Sequence, residues 1–338
     1  MKIIIPMAGE GSRLRPHTIN TIKPLITIVG KPILKRLLEN LLKFIKVTSI
    51  KEIVFIIGEI DKRIEKKLIK ISNDIGITEV TIYYQEKPLG TADALLKAKN
   101  SLEGPIIVAF SDTLFYHENF ELNTNAENII WTKKVKNISS FGIVECNPSG
   151  LITHFIEKPK NNRSNLAIIG IYYFKNSSLL KKELQYILDN NIRNEKEYQL
   201  TSALENMRRK GISFTSQQVQ KWMDFGNKKK IISSNSKILS IESKHLKLIH
   251  PKTIIKNSFI IKPCSIEENT IIDNSVIGPY VSIGKYTRIS NSNIEKSLIQ
   301  NYTEIRYINI YNSMIGSNIS YIGKAKEINL GDHSILNF

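Results

Sequence analysis

The first 32 residues, MKIIIPMAGEGSRLRPHTINTIKPLITIVGKP (Met1–Pro32), carry the pattern that decides the fold. Ile3–Ile5 form a short β-branched apolar run, which is typical of a buried strand in a parallel sheet. Gly9 and Gly11 follow, and the absence of a side chain there allows backbone amides to approach an anion. The arginines that come next add donors with a geometry suited to phosphate. Two interpretations stay open at this point: a phosphate-binding turn, or an ordinary strand-to-helix turn with solvated arginines.

The glycine pattern does not match the two best-known phosphate loops. A dinucleotide-binding loop needs a third glycine at position 14, where the chain has Leu14. A P-loop ends with Gly-Lys-Ser or Gly-Lys-Thr, whereas Arg13-Leu14-Arg15 occupies that place. Any phosphate site after the first strand is therefore of another kind.

Composition describes an ordinary globular chain of 338 residues, which is long enough for two domains. No apolar run reaches the length of a membrane span, and the N-terminus lacks a signal-peptide pattern, so we expect no membrane association. The two cysteines lie far apart without metal-ligand spacing, which predicts a reduced, cytoplasmic setting. A net charge of +17 would suit a nucleic-acid partner. Because the lysines are scattered among many isoleucines and asparagines, as AT-rich coding alone would produce, we expect a solvated surface and no nucleic-acid partner.

Strand-like and helix-like segments alternate along the first two thirds of the chain. This alternation indicates an α/β fold with a Rossmann-like, mostly parallel sheet covered on both faces. Ligands bind at the carboxyl ends of parallel strands, so the loops after residues 6, 84, 110 and 174 are expected to share one rim. The predicted strands are 2–6, 53–57, 80–84, 106–110, 129–133 and 168–174, and the predicted amphipathic helices are 31–46 and 61–72.

The sequence becomes periodic after about residue 250. Isoleucine recurs every five or six residues, with Asn, Ser and Gly between, and a hexapeptide period is typical of a β-solenoid. Residues 251–338 therefore resemble the left-handed parallel β-helix of hexapeptide-repeat proteins, and a helix at 236–250 would connect them to a first domain at 1–235. The recurring residues are Ile254, Ile260, Ile266, Ile271, Ile277, Ile283, Ile289, Ile294, Ile299, Ile305, Ile310 and Ile315, of which Ile277, Ile283 and Ile289 are expected to point inward.

Motifs along the first domain resemble those of sugar-1-phosphate nucleotidyltransferases, in family order. The long-form members of this family carry a β-helix tail, and the glucose-1-phosphate thymidylyltransferases are similar to this chain. The matching stretches are Gly9–Pro16, Lys23-Pro24-Leu25, Gly30-Lys31-Pro32, Gln85–Ala92, Ser111-Asp112, Phe155–Pro159, Ile169–Tyr172, the helix start Glu197–Thr201, and Trp222–Gly226.

The resemblance implies that residues 1–235 transfer a nucleotidyl group from a nucleoside triphosphate to a sugar 1-phosphate and release pyrophosphate. A sugar-phosphate oxygen attacks the α-phosphorus in line, so the protein supplies mainly positioning and charge neutralisation. The expected substrates are dTTP or UTP with glucose 1-phosphate. The alternatives are a mannose-1-phosphate guanylyltransferase and a non-catalytic paralogue that senses nucleotide sugars. The non-catalytic alternative is disfavoured because the chain has all of the charged residues expected in the reaction, Arg13, Lys23, Asp112, Lys158 and Asp224.

The resemblance also implies roles for individual residues. Arg13, Lys23 and Asp112 would be catalytic, with Lys23 stabilising the charge that grows on the α-phosphate. Asp112 and Asp224 would bind Mg²⁺, which prefers carboxylate and phosphate oxygens and retains several waters. The implied nucleotide-binding residues are Ala8, Gly9, Gly11, Ser12, Arg13, Gln85 and Gly90, and the implied sugar-phosphate-binding residues are Gly142, Glu157, Lys158 and Gly170.

Gln85 bears on the choice of base. Its carboxamide offers both a donor and an acceptor, which matches the edge of uracil or thymine. The chain departs from the family pattern without losing a charged reactant group, so sugar preference is the property most affected. The departures are Ile22 before Lys23 in place of proline, Ser111 in place of glycine, Ser202 in place of aspartate, and Asp93 in place of glycine or histidine.

We expect the β-helix to be structural and to build an interface in a homo-oligomer. Acyl transfer would be a second activity of such a tail, and it needs a basic histidine on a coil loop. His250 precedes the coils, and His333 lies near the end of the chain, where we interpret it as an exposed terminal residue.

Overall fold

The structure is a computed structural model, and it describes residues 1–45, 49–59, 62–116, 122–123, 125–161 and 164–324. These residues separate into two compact units. The first unit comprises Met1–Ile26 and Lys31–Asn227, and the second comprises Thr27–Gly30 with the described residues from Lys228 onward. In the described part of the chain no helix is long and apolar enough to cross a membrane.

Strands and helices alternate up to residue 242, as the sequence predicts. The strands are β1 (Lys2–Pro6), β2 (Thr27–Ile28), β3 (Lys31–Pro32), β4 (Glu52–Ile57), β5 (Val80–Tyr84), β6 (Ile106–Ala109), β7 (Thr113–Tyr116), β8 (Asn128–Lys134), β9 (Gly142–Cys146), β10 (Ile152–Glu157), β11 (Leu166–Phe174), β12 (Thr215–Gln218) and β13 (Lys221–Asp224). The helices are α1 (Ile33–Leu41), α2 (Lys62–Asp74), α3 (Thr91–Lys97), α4 (Ser177–Asp189), α5 (Leu200–Arg209) and α6 (Lys228–Glu242).

The main sheet of the first unit has a parallel half and an antiparallel half. Its order is β10-β9-β11-β6-β1-β4-β5, and β8 pairs with β11 and β12. Strands β6, β1, β4 and β5 are parallel, which confirms the Rossmann-like core. Strand β11 runs antiparallel to β6. The loop after residue 174 therefore lies at the opposite edge from the loops after 6, 84 and 110, and its predicted place on their rim is wrong.

The opening isoleucine run is fully buried because helices cover both faces of the sheet. Ile3 and Ile5 pack in one core with residues of α1 and α2, including Leu37 and Leu68. Ile4 packs in the other core, with residues of α3, α4 and α5. Neighbouring side chains on a strand point to opposite faces, so a continuous apolar run needs cover on both sides.

The connecting helix begins and ends earlier than predicted. It is α6, Lys228–Glu242, in place of 236–250. Asn235 is fully buried in it, and its Oδ1 accepts a hydrogen bond of 2.7 Å from the Ser282 hydroxyl. The basic run that starts at Lys228 is thus the first turn of a helix in the second unit.

The periodic region forms three parallel sheets of stacked short strands, as expected for a left-handed parallel β-helix. The predicted fold class is thereby confirmed. Residues 325–338, which include His333 and the end of the predicted tail, lie outside the described residues. The sheets are β14 (Ile254–Lys256), β17 (Ile271–Asp273), β20 (Arg288–Ser290), β23 (Glu304–Arg306) and β26 (Ser320–Ile322); β15 (Phe259–Ile260), β18 (Val276–Ile277), β21 (Asn293–Glu295) and β24 (Asn309–Tyr311); and β16 (Cys264–Ile266), β19 (Val281–Ile283), β22 (Leu298–Ile299) and β25 (Met314–Ile315).

The register of these sheets explains the irregular period. Ile271 lies beside Ile254 and Arg288, so the first coils advance 17 residues, and Arg288 lies beside Glu304, a step of 16. Three complete hexapeptides would make about 18 residues per coil. One or two of the three spacings in each coil are therefore five in place of six.

Ile277, Ile283 and Ile289 are buried in the solenoid interior, as predicted. Ile271 is in the wrong register for the interior, because its neighbours in the sheet are the exposed residues Ile254 and Arg288. The next residue, Ile272, is fully buried beside Ile289. Because Ile271 and Ile272 are both isoleucine, the sequence does not show which of them points inward. A shift of one residue exchanges the inward-facing and outward-facing side chains of a strand.

Asparagine has a structural purpose in this region. Most L-residues avoid positive φ, whereas asparagine tolerates it because its short side chain bonds locally. Among residues other than glycine, positive φ in the described β-helix occurs at six asparagines, four tyrosines and one lysine, so backbone geometry accounts for part of its asparagine content. The asparagines with positive φ in the β-helix are Asn257, Asn269, Asn274, Asn291, Asn312 and Asn318.

Candidate active site

A cavity of about 260 Å³ opens where β1, β5 and β6 end. Its walls come mainly from the loop after β1, the segment from Gln85 to α3 and the residues after β6, and Lys23, Pro24 and Glu197 complete them. This is the rim at which a parallel sheet binds ligands. The predicted site residues that line the cavity are Ala8, Gly9, Gly11, Lys23, Gln85, Gly90 and Asp112, and Glu197 joins them.

The loop after β1 is shaped by its glycines. Gly11 has φ 64° and precedes a short 3₁₀ turn at Ser12–Leu14, while its carbonyl accepts a 2.9 Å hydrogen bond from the Thr18 hydroxyl. Among the described residues, no atom outside its chain neighbours lies within 4 Å of where a Cβ on Gly9 would be, so the backbone is open to a ligand there. Ser12 and Arg13 are exposed and do not line the 260 Å³ cavity.

A larger cavity of about 740 Å³ adjoins the first and shares Ala8, Gly9 and Gln85 with it. Arg63 and Lys67 of α2 line it, and sequence reasoning missed both. They belong to an amphipathic helix with several other basic residues, and nothing in the sequence marks these two as facing a cavity.

Asp112 and Asp224 come together although they are far apart in sequence. Strands β7 and β13 pair antiparallel, with Asp224 opposite Thr113, and the Phe225 N–H donates to the Asp112 carbonyl at 3.0 Å. Lys23 Nζ lies 2.6 Å from Asp112 Oδ2. The predicted catalytic lysine and both predicted metal ligands therefore converge on one edge of the first unit.

The donor set fits magnesium. Nowhere in the described ranges does a group of three or more His, Cys, Asp or Glu side chains form a potential metal site. A zinc site or a calcium cage needs more protein ligands than the pair Asp112 and Asp224 provides. Mg²⁺ is commonly held by one or two carboxylates, with waters and substrate phosphates as its other ligands.

The predicted sugar-phosphate residues lie apart from the 260 Å³ cavity wall. Glu157 stands opposite Gly142 in the pairing of β10 with β9, and its Oε2 accepts a 2.8 Å hydrogen bond from the Thr201 hydroxyl. Burial raises the pKa of the Glu157 carboxyl above its ordinary value, and the Thr201 bond only partly opposes this. Glu157 lines a separate cavity of about 180 Å³, together with Thr201.

Lys158 has φ 39° and its Nζ lies 2.8 Å from Glu195 Oε2. The hydrogen bond to Glu195 raises the pKa of the Lys158 ammonium. Gly170 has φ 84°, and a Cβ there would lie 3.2 Å from the Phe110 Cβ. A side chain at this position would therefore push against Phe110, which lines the 260 Å³ cavity.

Gly90 is required by backbone packing in addition to any ligand. It has φ 124°, and a Cβ on it would clash with the Tyr198 carbonyl oxygen. The Thr91 hydroxyl accepts a 2.8 Å hydrogen bond from the Leu200 N–H, so the helix-start motif at Glu197–Thr201 is held against α3. This contact explains why the Gln85–Ala92 and Glu197–Thr201 motifs belong to the same site.

Gln85 and Asp93 form a buried pair beside the cavity. Gln85 Nε2 donates to Asp93 Oδ2 at 2.7 Å and to the Gly90 carbonyl at 3.1 Å. Asp93 is only 2% exposed. Sequence reasoning treated Asp93 only as a departure from the family pattern, because its partner cannot be identified without the fold.

Comparison with known proteins agrees with this geometry. The family model described as nucleotidyl transferase matches residues 2–241. The chain is 31% identical over 341 residues to the bifunctional protein GlmU of Methanococcus maripaludis strain S2, with 95% of this chain and 79% of that protein covered. It is 26% identical to the glucose-1-phosphate thymidylyltransferase of Streptomyces antibioticus, with 99% and 98% covered. Among solved structures, a UDP-glucose pyrophosphorylase complexed with UDP-glucose has a similar fold, with a TM-score of 0.58 at 20% identity, covering 71% of this chain and 98% of that one.

Proposed function

The chain belongs to the nucleotidyl transferase family, in its sugar-phosphate group, and we propose that it transfers a nucleotidyl group from dTTP or UTP to glucose 1-phosphate. Pyrophosphate is the second product. The observation that carries the proposal is the convergence of Lys23, Asp112 and Gln85 on one cavity at the carboxyl edge of the sheet. We further propose that the chain works in the cytoplasm as a homo-oligomer.

The triphosphate would lie against the loop after β1. The backbone at Gly9 is open to phosphate oxygens, Gly11 supplies the positive φ that shapes the loop, and Arg13 would add positive charge from the exposed 3₁₀ turn. Lys23 would stabilise the negative charge that increases on the α-phosphate during in-line attack. The contact with Asp112 places the Lys23 ammonium beside the proposed metal ligand, where the phosphates would meet.

Asp112 and Asp224 are the residues that would hold Mg²⁺, and the bound ion would supply charge neutralisation between the two phosphate groups. The chain itself contributes one carboxylate at the end of β13 and one just before its partner strand β7. The Gly226 N–H donates to Asp224 Oδ1 at 2.6 Å, which restricts that carboxylate to one orientation.

The sugar phosphate would be bound by residues from β9, β10 and the segment after it. Glu157 would accept hydrogen bonds from sugar hydroxyls with one oxygen while Thr201 holds the other. Lys158 would bind the phosphate, exchanging its contact with Glu195 for one with the ligand. Gly142 and Gly170 would leave space for the sugar ring.

The decisive experiment measures pyrophosphate release from a panel of triphosphates crossed with sugar 1-phosphates, in the presence of Mg²⁺. We expect the highest kcat/KM for dTTP or UTP with glucose 1-phosphate. The Asp112→Asn variant serves as the inactive control. A preference for GTP with mannose 1-phosphate would favour the guanylyltransferase alternative, and no release from any pair would contradict the proposed function.

A further inference from the structure

The carboxamide of Gln85 can be oriented in only one way. Its Nε2 lies 2.7 Å from Asp93 Oδ2 and 3.1 Å from the Gly90 carbonyl oxygen. A carboxylate and a backbone carbonyl only accept hydrogen bonds, so the side that faces them must carry the N–H donors. A flipped amide would place three oxygens against one another inside the protein, since Gln85 is 5% exposed and Asp93 is 2% exposed.

The second oxygen of the Asp93 carboxylate faces a lysine. This oxygen, Oδ1, lies 3.5 Å from Lys97 Nζ one turn later in α3. A carboxylate held between an amide N–H and an ammonium group accepts hydrogen bonds from both and offers no donor to Gln85. Both N–H groups of the Gln85 amide are therefore used within the protein.

Only Oε1 of Gln85 remains for a ligand. It makes no hydrogen bond in the part of the chain that the structure describes, and Gln85 lines both adjoining cavities. The expectation that Gln85 offers both a donor and an acceptor to the base therefore needs correction, because its donors are used within the protein. Toward the cavity this side chain is an acceptor.

We infer that Asp93 sets the choice of nucleotide base by fixing Gln85 as an acceptor. Uracil, thymine and guanine carry a ring N–H on the edge between their exocyclic groups, whereas cytosine and adenine carry a ring nitrogen lone pair there. Opposite the ring nitrogen, an acceptor pairs with the first class and is repelled by the second, so the enzyme selects bases with an imino N–H. Asp93 acts through Gln85 and is a positioning residue. This inference rests on the proposed function, because it takes the cavity to hold the base of the triphosphate.

The test is the near-isosteric variant Asp93→Asn. An asparagine amide presents either its oxygen or its nitrogen to Gln85, so the Gln85 amide becomes free to turn and to donate toward the base. We expect the ratio of kcat/KM for UTP or dTTP over CTP to fall about tenfold, since a mismatched buried hydrogen bond has an effect of that order. Asp74→Asn is the matched control, because Asp74 is exposed, pairs with Lys35 and lies outside the site.

A double-mutant cycle separates positioning from a merely structural role. In a Gln85→Ala background, Asp93→Asn should leave the base ratio unchanged, because the group through which it acts is absent. A ratio that still changes in that background, or that stays unchanged in the single variant, overturns the inference.

Dissociation constants for UTP, dTTP, GTP, CTP and ATP, measured by calorimetry on the wild type and Asp93→Asn, make the test independent of turnover. We expect the wild type to bind the three imino bases most tightly and the variant to lose that preference. Tight binding of CTP or ATP by the wild type overturns the inference whether or not the enzyme is active. Selective binding without pyrophosphate release with any sugar 1-phosphate would support the inference while contradicting the proposed function.

Discussion

The two units of the molecule place charged side chains differently. In the first unit, buried or half-buried polar and charged side chains converge near the ligand rim, as in the ion pair Lys23–Asp112 and the hydrogen-bonded pair Gln85–Asp93. In the β-helix, the described interior is built from isoleucine columns, with serine and threonine at the corners, and its described Asp, Glu, Lys and Arg side chains are not buried. In the first unit, the proposed chemistry therefore depends on a few polar side chains buried in an otherwise apolar core. In the second unit, stability comes from the repeated burial of isoleucine.

This difference predicts that substitutions separate into two classes. Removing a charge at the rim should change turnover with little effect on unfolding, because most of the buried apolar area is untouched. Removing a methyl-rich side chain from the β-helix interior should do the reverse. The predictions below test that separation in order of decreasing expected effect.

The largest effect is expected for Asp112→Asn. The substitution removes the negative charge that Lys23 contacts at 2.6 Å and one of the two proposed metal ligands. Loss of an interaction with the reacting phosphate should lower kcat by about a hundredfold to a thousandfold, while the melting temperature changes by only a few degrees. Steady-state pyrophosphate assays and a thermal melt measure both quantities, with Asp74→Asn as the control. A normal kcat in Asp112→Asn would contradict the site.

Ile277→Ala should have the opposite profile. Ile277 is fully buried in the interior of the β-helix, and replacing such a residue by alanine costs about 3 kcal/mol of unfolding free energy. Ile271→Ala is the matched control, because Ile271 is partly exposed and lies in the sheet beside Arg288. Urea unfolding should show a much smaller loss for Ile271→Ala, and kcat at a temperature well below unfolding should be unchanged in both. Equal losses of stability would contradict the register that the structure gives.

The sequence predicted the periodic burial of strands and coils better than it predicted individual contacts between distant residues. Buried strands such as β1 and the interior positions Ile277, Ile283 and Ile289 follow from local periodicity, which physical chemistry ties to burial. The reversed direction of β11 depends on sheet pairing, which local patterns do not encode. The orientation of Gln85 likewise depends on Asp93, whose burial arises only when α3 packs on the sheet. The early start of α6 was hidden because its first turn is a run of lysines.

Sugar binding should weaken toward acid because of Glu157. Burial raises the pKa of this carboxyl above the ordinary value of 4.5, so protonation begins at a higher pH than in an exposed glutamate. If the ionised form binds sugar hydroxyls, KM for glucose 1-phosphate should rise by up to about tenfold per pH unit below the folded pKa. The Glu157→Gln variant should lose this acid limb, as measured by KM between pH 4.5 and 8. An identical acid limb in the variant would assign the titration to another group.

The same ionisation has the opposite sign for stability. A raised folded pKa means that the native state retains a proton that the unfolded chain has released. Its contribution to stability is therefore fully present below the unfolded pKa, and it is lost as the pH rises through the folded pKa. Relative to Glu157→Gln, the wild type should thus lose unfolding free energy across the window in which its sugar affinity increases. Urea unfolding at several pH values checks this.

The smallest effect is expected for Glu195→Gln, at the contact that occupies Lys158. Glu195 is mostly exposed, and its carboxylate lies 2.8 Å from the ammonium that we propose for the sugar phosphate. The phosphate must displace this partner, so its removal should lower KM for glucose 1-phosphate. Exposed ion pairs are weak because water and salt screen them. The expected decrease in KM is therefore only about twofold to threefold at low salt, and less at high salt. Lys158→Gln should instead raise KM. Asp74→Asn, which removes an exposed carboxylate from its ion pair with Lys35 outside the site, is the control for a generic loss of surface charge. An increase in KM in Glu195→Gln would show that Glu195 positions Lys158 for the substrate and does not compete with it.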